Sequence, residues 1–194
     1  MPYSRIVSPG GITDADAPYF KALARFIVQC VADGDPMSAP VVRETPAQEL
    51  CECTFADGGY FHLIDSLVTE VRFVELFHPD QGRLQEITRR ALRFFPVVDH
   101  YALLDRWVAG ETTDERVPVQ LALGGPRPFD SDTFDAIARS LEHPSPRVRA
   151  MAAAGMASCA DPDFIKVLER ALRWEHHPQV AQGMREAIVI IGKD

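Results

Sequence analysis

The stretch "EHPSPRVRAMAAAGMAS", Glu142 to Ser158, limits what this chain can fold into more than any other part of it. After His143-Pro144 comes a run of helix formers made almost entirely of small residues. Pro146 fits the first turn of a helix, where a missing N–H forfeits no hydrogen bond. Burial stabilises by only ~25 cal/mol per Å² of apolar surface, so a helix of alanine, glycine and serine cannot anchor an ordinary core. Such a helix can instead let its backbone approach another closely. We therefore expect Ala152, Ala153, Gly155 and Ala157 to lie in close contacts with near-copies of the same unit.

A near-copy follows in the sequence. Phe134, Ile137 and Leu141 of "FDAIARSLEH" correspond to Phe164, Val167 and Leu172 of "FIKVLERALRWEHH". With a two-residue adjustment, Pro146 and Val148 fall on Pro178 and Val180, and Ala152, Met156 and Cys159 fall on Met184, Ile188 and Ile191. His-Pro recurs at His78-Pro79, His143-Pro144 and His177-Pro178, each time between a predicted first and second helix. A helix pair repeated in this way leaves one apolar face bare, and stacking on the next pair covers it.

The pattern resembles HEAT-like repeats of the short bacterial type, in which a turn of the form "HPSPRVR" opens an alanine-rich second helix. The resemblance is best over residues 132–191, weaker over 60–110 and absent from the first 59. The family usually has Asp-Pro at the turn where this chain has His-Pro, and the second copy lacks arginine after its valine. The resemblance implies an all-α fold, an α-solenoid of stacked antiparallel helix pairs, with a helical N-terminal extension. It also implies that the second helix of each pair lines a concave binding surface.

The expected organisation is a single domain over 1–194. Residues 1–59 supply an N-terminal helix and an irregular extension. The helix is signalled by "DADAPYFKALARFIVQCVADG", with an aspartate cap, Pro18 in its first turn, Gly34 as its stop and an apolar face of Tyr19, Leu23, Phe26, Ile27, Cys30 and Val31. Thr45 to Gln48 has the form of a capping box, whereas "ELCECTF" alternates like a strand, and the two signals leave 35–59 open. Residues 60–110 are expected as divergent helix pairs, from a stripe of Ile64, Leu67, Val68, Val71 and Val74, then Leu84, Ile87, Ala91, Leu92 and Phe95, then a helix stopping at Gly110. Residues 111–131 are read as a connecting loop with room for a short helix at its one apolar run, flanked by capping residues, two prolines and a Gly-Gly pair, and 132–194 as the two repeats.

Composition narrows the chemistry. The net charge is −8 over 194 residues, with 8 acidic against 4 basic residues in 1–59 and 6 against 3 in 96–131. An acidic chain has no general attraction to phosphate backbones, so nucleic acid is the less expected partner and a basic protein the better one. No run reaches the roughly 18 apolar residues of a membrane helix, and the N-terminus lacks a signal-peptide pattern, so a cytoplasmic location is expected. Cys51 and Cys53 lack the CxxC spacing of zinc sites, and a metal there would need further ligands, His62 being the nearest. No phosphate-binding loop, HExxH or GxSxG is present, so no catalytic residue, cofactor or metal is assigned.

The polar residues expected on the concave face are Arg89, Arg90, Arg93, Arg147, Arg149, Gln179, Gln182 and Arg185. Together they would form an arginine-rich floor with acidic flanks. The leading expectation is a non-catalytic module that binds another protein through that face, of which a toxin-neutralising immunity protein is one analogy. The alternatives are a nucleic-acid-binding or DNA-repair protein and an accessory lyase or chaperone. Trp107 and Trp174 are read as packing residues, with stacking against a ligand as the alternative.

Overall fold

The computed structural model describes residues 3–11, 17–46, 48–95 and 97–193. The chain divides into two compact units, Met1–Val98 and Asp99–Asp194.

The first unit overturns the all-α expectation and, with it, the α-solenoid for the whole chain. It contains a five-stranded antiparallel sheet of β1 (Tyr3–Gly11), β2 (Val41–Glu44), β3 (Gln48–Thr54), β4 (Tyr60–Ser66) and β5 (Val71–Phe77), in the spatial order β1-β5-β4-β3-β2. Two helices, α1 (Ala17–Ala32) and α2 (Gln81–Ala91), complete it. Phe61 and Leu63 of β4 and Val74 and Leu76 of β5 share a core with Phe26 and Cys30 of α1 and Leu84, Ile87 and Ala91 of α2. The aspartate cap proposed for α1 lies outside the described residues, as do the side chains of Tyr19 and Val31. Gly34 follows α1 at φ +83°, a conformation that favours glycine.

The helical stripe read over 60–77 has a definite physical origin. Leu67 and Val68 sit in the turn between β4 and β5, 40% and 63% exposed, and their spacing from Ile64 and Val71 imitates a helix. The true period is two: Phe61 and Leu63 face the helices and Tyr60 and His62 do not, by strand alternation. On the helix-facing parity Asp65 lies opposite Arg72, and the two form a buried bidentate ion pair. The Thr45 signal was a real hydrogen bond in another setting. Its hydroxyl accepts from the Gln48 N–H at 3.1 Å, but it closes the β2–β3 hairpin, so "ELCECTF" is the strand.

The second unit is helical: α3 (His100–Val108), α4 (Val117–Gly124), α5 (Ser131–Arg139) continued by a 3₁₀ turn (Ser140–Glu142), α6 (Pro146–Cys159), α7 (Phe164–Leu172) and α8 (Pro178–Ile191). Helix α6 packs on both α4 and α8, making one row, while α3 packs on α5 and α7 packs on α8. The run expected as a connecting loop with room for a short helix holds α4, in which every residue from Val117 to Leu123 is buried. A helix buried all round has no apolar stripe to betray it. Three of the second-helix equivalences match in burial, Val148 with Val180, Ala152 with Met184 and Cys159 with Ile191, whereas Met156 is buried and Ile188 only partly so. The first-helix register differs by one. Thr133 and Ile137 match Phe164 and Leu168 in burial, while Val167 and Leu172 are only partly covered.

Three Xaa-Pro turns share one device. The N–H two residues on donates to His78 Nδ1 from Asp80 (3.0 Å), to His143 Nδ1 from Ser145 (3.1 Å) and to Asp161 Oδ1 from Asp163 (3.0 Å). A neutral imidazole thus supplies the acceptor that an aspartate supplies in an Asx turn, which is how His-Pro stands in for Asp-Pro.

Gly155 meets the expectation of close approach. A Cβ built there would lie 2.9 Å from Ala122 Cβ, 3.1 Å from Val119 Cα and 3.3 Å from the Pro118 carbonyl oxygen, all in α4. Gly183 in α8 has nothing within 4 Å of the same position. Gly155→Ala should therefore destabilise the chain by about 1 to 3 kcal/mol through overpacking. Gly183→Ala should stabilise it by up to about 1 kcal/mol through helix propensity. Urea melts of the two variants check the pair, and two shifts of the same sign would contradict it.

Candidate functional site

In the second unit, two clefts flank His143. The first, about 620 Å³, lies between the C-terminal half of α3 and α5 with its 3₁₀ turn, lined among others by Trp107, Val108, Asp105, Asp132, Asp135 and Arg139. The second, about 520 Å³, lies between the His143-Pro144 turn and the end of α7, lined by Glu142, Arg149, Arg170, Trp174, Glu175 and His176 among others. His143 lines both.

Each wall is held by identifiable bonds. Trp107 Nε1 donates to Ser140 Oγ at 3.1 Å, and Ser140 Oγ donates to the Ala136 carbonyl at 2.8 Å. The Trp107 ring stacks on His143 with centroids 5.8 Å apart. Because His143 Nδ1 accepts from Ser145 N–H, the neutral ring carries its proton on Nε2. At the other ends of α3 and α5, His100 Nε2 lies 2.9 Å from the hydroxyl of the fully buried Thr133, which in turn donates to Asp130. The starts of these helices are thereby tied together, as Trp107 and Ser140 tie their ends.

The floor of the second cleft is an ion pair. Arg149 Nε and Nη2 donate to Glu175 at 2.6 and 2.9 Å, and Nη1 donates to the carbonyls of His143 and Pro144 at 2.8 and 3.0 Å. The Arg149 guanidinium, joined by the His177 N–H, holds the Glu175 carboxyl down at about 2. Trp174, 76% exposed, stands beside it and is not the packing residue the sequence suggested.

The eight residues assigned to an arginine-rich floor are distributed over both units. Arg89 is exposed on α2 and Arg93 is exposed just beyond its end, while Arg90 on the helix bonds Asp33 at 3.0 Å and Asp35 at 2.7 Å. On α6, Arg147 lies 3.3 Å from Glu115 and Arg149 is committed to Glu175. Gln179, Gln182 and Arg185 are exposed on α8, with Gln182 donating to Glu186 at 2.8 Å. Of the eight, only Arg149 lines either cleft. The clefts themselves were missed, and the signals that pointed to them were His143-Pro144, read as a turn, and the stacking alternative for Trp107 and Trp174, which line one cleft each.

Metal binding by Cys51, Cys53 and His62 is excluded by strand parity. Cys51 and Cys53 face the helical core, whereas His62 points to the opposite face, 3.4 Å from Glu52 and 3.6 Å from Glu75. All four cysteines are free and buried. The neighbouring thiols act on each other, which lowers Cys51 to about 7 and, with burial, raises Cys53. Among the described residues, no cluster of three or more candidate ligands could hold a metal ion, and no helix is long and apolar enough to cross a membrane.

No family model, no curated protein and no solved structure matches this chain.

Glu175 gives a pH test. Its folded pKa lies below the value near 4.5 of the free group, so its stabilisation is complete above about pH 5 and is lost as pH falls towards 2. Glu175→Gln should cost about 2 kcal/mol at pH 7, and the difference from wild type should shrink steadily below pH 4. Denaturant melts across that range check it. A difference independent of pH would assign the loss to packing.

Proposed function

We propose that this chain is a non-catalytic protein-binding module whose helical unit receives a segment of another protein along the two clefts beside His143. The supporting observation is their chemistry. The first cleft carries three carboxylates, Asp105, Asp132 and Asp135, against one arginine, and the second presents the exposed indole of Trp174 above a closed Arg149–Glu175 pair. Aromatic anchors beside charged walls are what protein interfaces concentrate. The bound segment is therefore basic where it meets the first cleft and apolar where it meets the second. Such a module suits the neutralisation of a basic toxin.

The nucleic-acid alternative loses its main support, since Arg90 and Arg149 are already neutralised by carboxylates. For the same reason these two are poor choices for a mutation meant to spare stability. Trp174→Ser combined with Glu142→Lys is the better test, because both side chains are exposed.

The partner recovered from native lysate by the wild-type chain should be identified, purified and titrated against both forms. Affinity is expected to fall by about tenfold or more with the helical circular dichroism unchanged. Equal affinity for the two forms would overturn the reading.

A further inference from the structure

Resting on that reading, we propose that the cleft between α3 and α5 is a receptor for a single arginine side chain of the partner, selective for arginine over lysine. Its lining is divided as an arginine is divided. Leu104, Val108 and Ala136 offer apolar contact suited to a methylene stem, and Asp105, Asp132 and Asp135 offer carboxylates to a cationic head. At about 620 Å³ it holds one long side chain with its flanking backbone.

Two further features favour a guanidinium. The last turn of α3 ends at this cleft, and the C-terminal end of a helix dipole carries partial negative charge that draws cations, even though the carbonyls of Asp105, Arg106 and Trp107 already accept from the N–H groups of 109–111. The chain also places one of its own guanidiniums there. Arg139, 77% exposed, lies 4.0 Å from Asp135, too far for a charge-assisted hydrogen bond. A guanidinium from outside can replace it and bond Asp135 at normal distance.

The planar fork of arginine engages two carboxylates at once and stacks on an indole, whereas an ammonium is a strongly hydrated point charge. Trp107 is held ready for such stacking by its bond to Ser140. Selectivity for arginine follows from these two contacts together.

The test uses the full chain, labelled with nitrogen-15, titrated with the acetylated, amidated peptides Gly-Arg-Gly, Gly-Lys-Gly and Gly-citrulline-Gly. Citrulline keeps the shape of arginine without its charge. The arginine peptide should shift the amides of 104–110 and 132–140, the lysine peptide should bind about fivefold more weakly, and the citrulline peptide should leave them unmoved. Asp105→Asn with Asp135→Asn should weaken arginine binding about tenfold, and added salt should weaken it further. Arg139→Gln should strengthen it by removing the competing head group.

Equal binding of arginine and lysine, shifts confined to other residues, or indifference to the double substitution would each overturn the proposal. If a protein partner depends on Trp174 and Glu142 while the arginine peptide fails, this inference alone falls. If the peptide binds and the partner ignores both clefts, the broader reading falls.

Discussion

The approach of α6 to α4 at Gly155 sets the dimensions of the helical unit. With no side chain at that point, α6 comes within van der Waals reach of the backbone at Val119 and Pro118. Ala152 and Ala153, both fully buried, keep the neighbouring contacts short as well. The other helices are separated by larger groups: Phe134 stacks on Phe164 with centroids 4.5 Å apart, and Trp107 stands beside His143. Small residues of α6 thus permit its close approach to α4, while aromatic side chains stand among α3, α5 and α7. The small-residue helix contributes no side chain to the first cleft.

The sheet unit depends on charge to a greater degree. Arg90 joins α2 to Asp33 and Asp35 just beyond α1, Arg83 bonds Asp35 as well, and Arg72 pairs with Asp65 inside the sheet. Removing one member of such a pair strands the other in a poorly hydrated place, at a cost of several kcal/mol. These arginines therefore act as structural ties. On the opposite face of the sheet, Glu52, His62, Glu75 and Arg5 are cross-strand neighbours in consecutive strands. The His62 imidazole beside it, with help from Arg5, holds the Glu75 carboxyl below its usual range against the effect of burial.

How far the sequence could be read follows from these two architectures. Repetition made the second unit legible: the 146–159 and 178–191 helices and the close packing of Gly155 were all visible from spacing and residue size. Helix α4 showed only as a short helix inside a loop, from its flanking capping residues, prolines and Gly-Gly pair, because a fully buried helix has no polar face to give it a period. The sheet was hidden by Leu67 and Val68, two apolar residues in an exposed turn, which completed a helical stripe across two strands whose own period was two. Pairing partners of a sheet are remote in sequence: Tyr3 lies opposite Phe77. No local window contains that information.

The site was illegible for a different reason, which concerns what a helical projection can show. Placing Arg90 and Arg149 opposite the apolar stripes of their helices was reasonable, and both do leave the hydrophobic core. A projection cannot say whether a carboxylate from elsewhere already waits there, as Asp35 does for Arg90 and Glu175 for Arg149. In an acidic chain an arginine is more readily engaged internally than an aspartate, because negative partners outnumber positive ones, 28 to 20. Within the two clefts, the groups offered to an outside partner include the carboxylates of the first and the indole of Trp174 in the second. The same excess of acid that argued for a basic partner thus also argues against an arginine floor, and it directs the search for the contact to the carboxylates of the α3–α5 cleft.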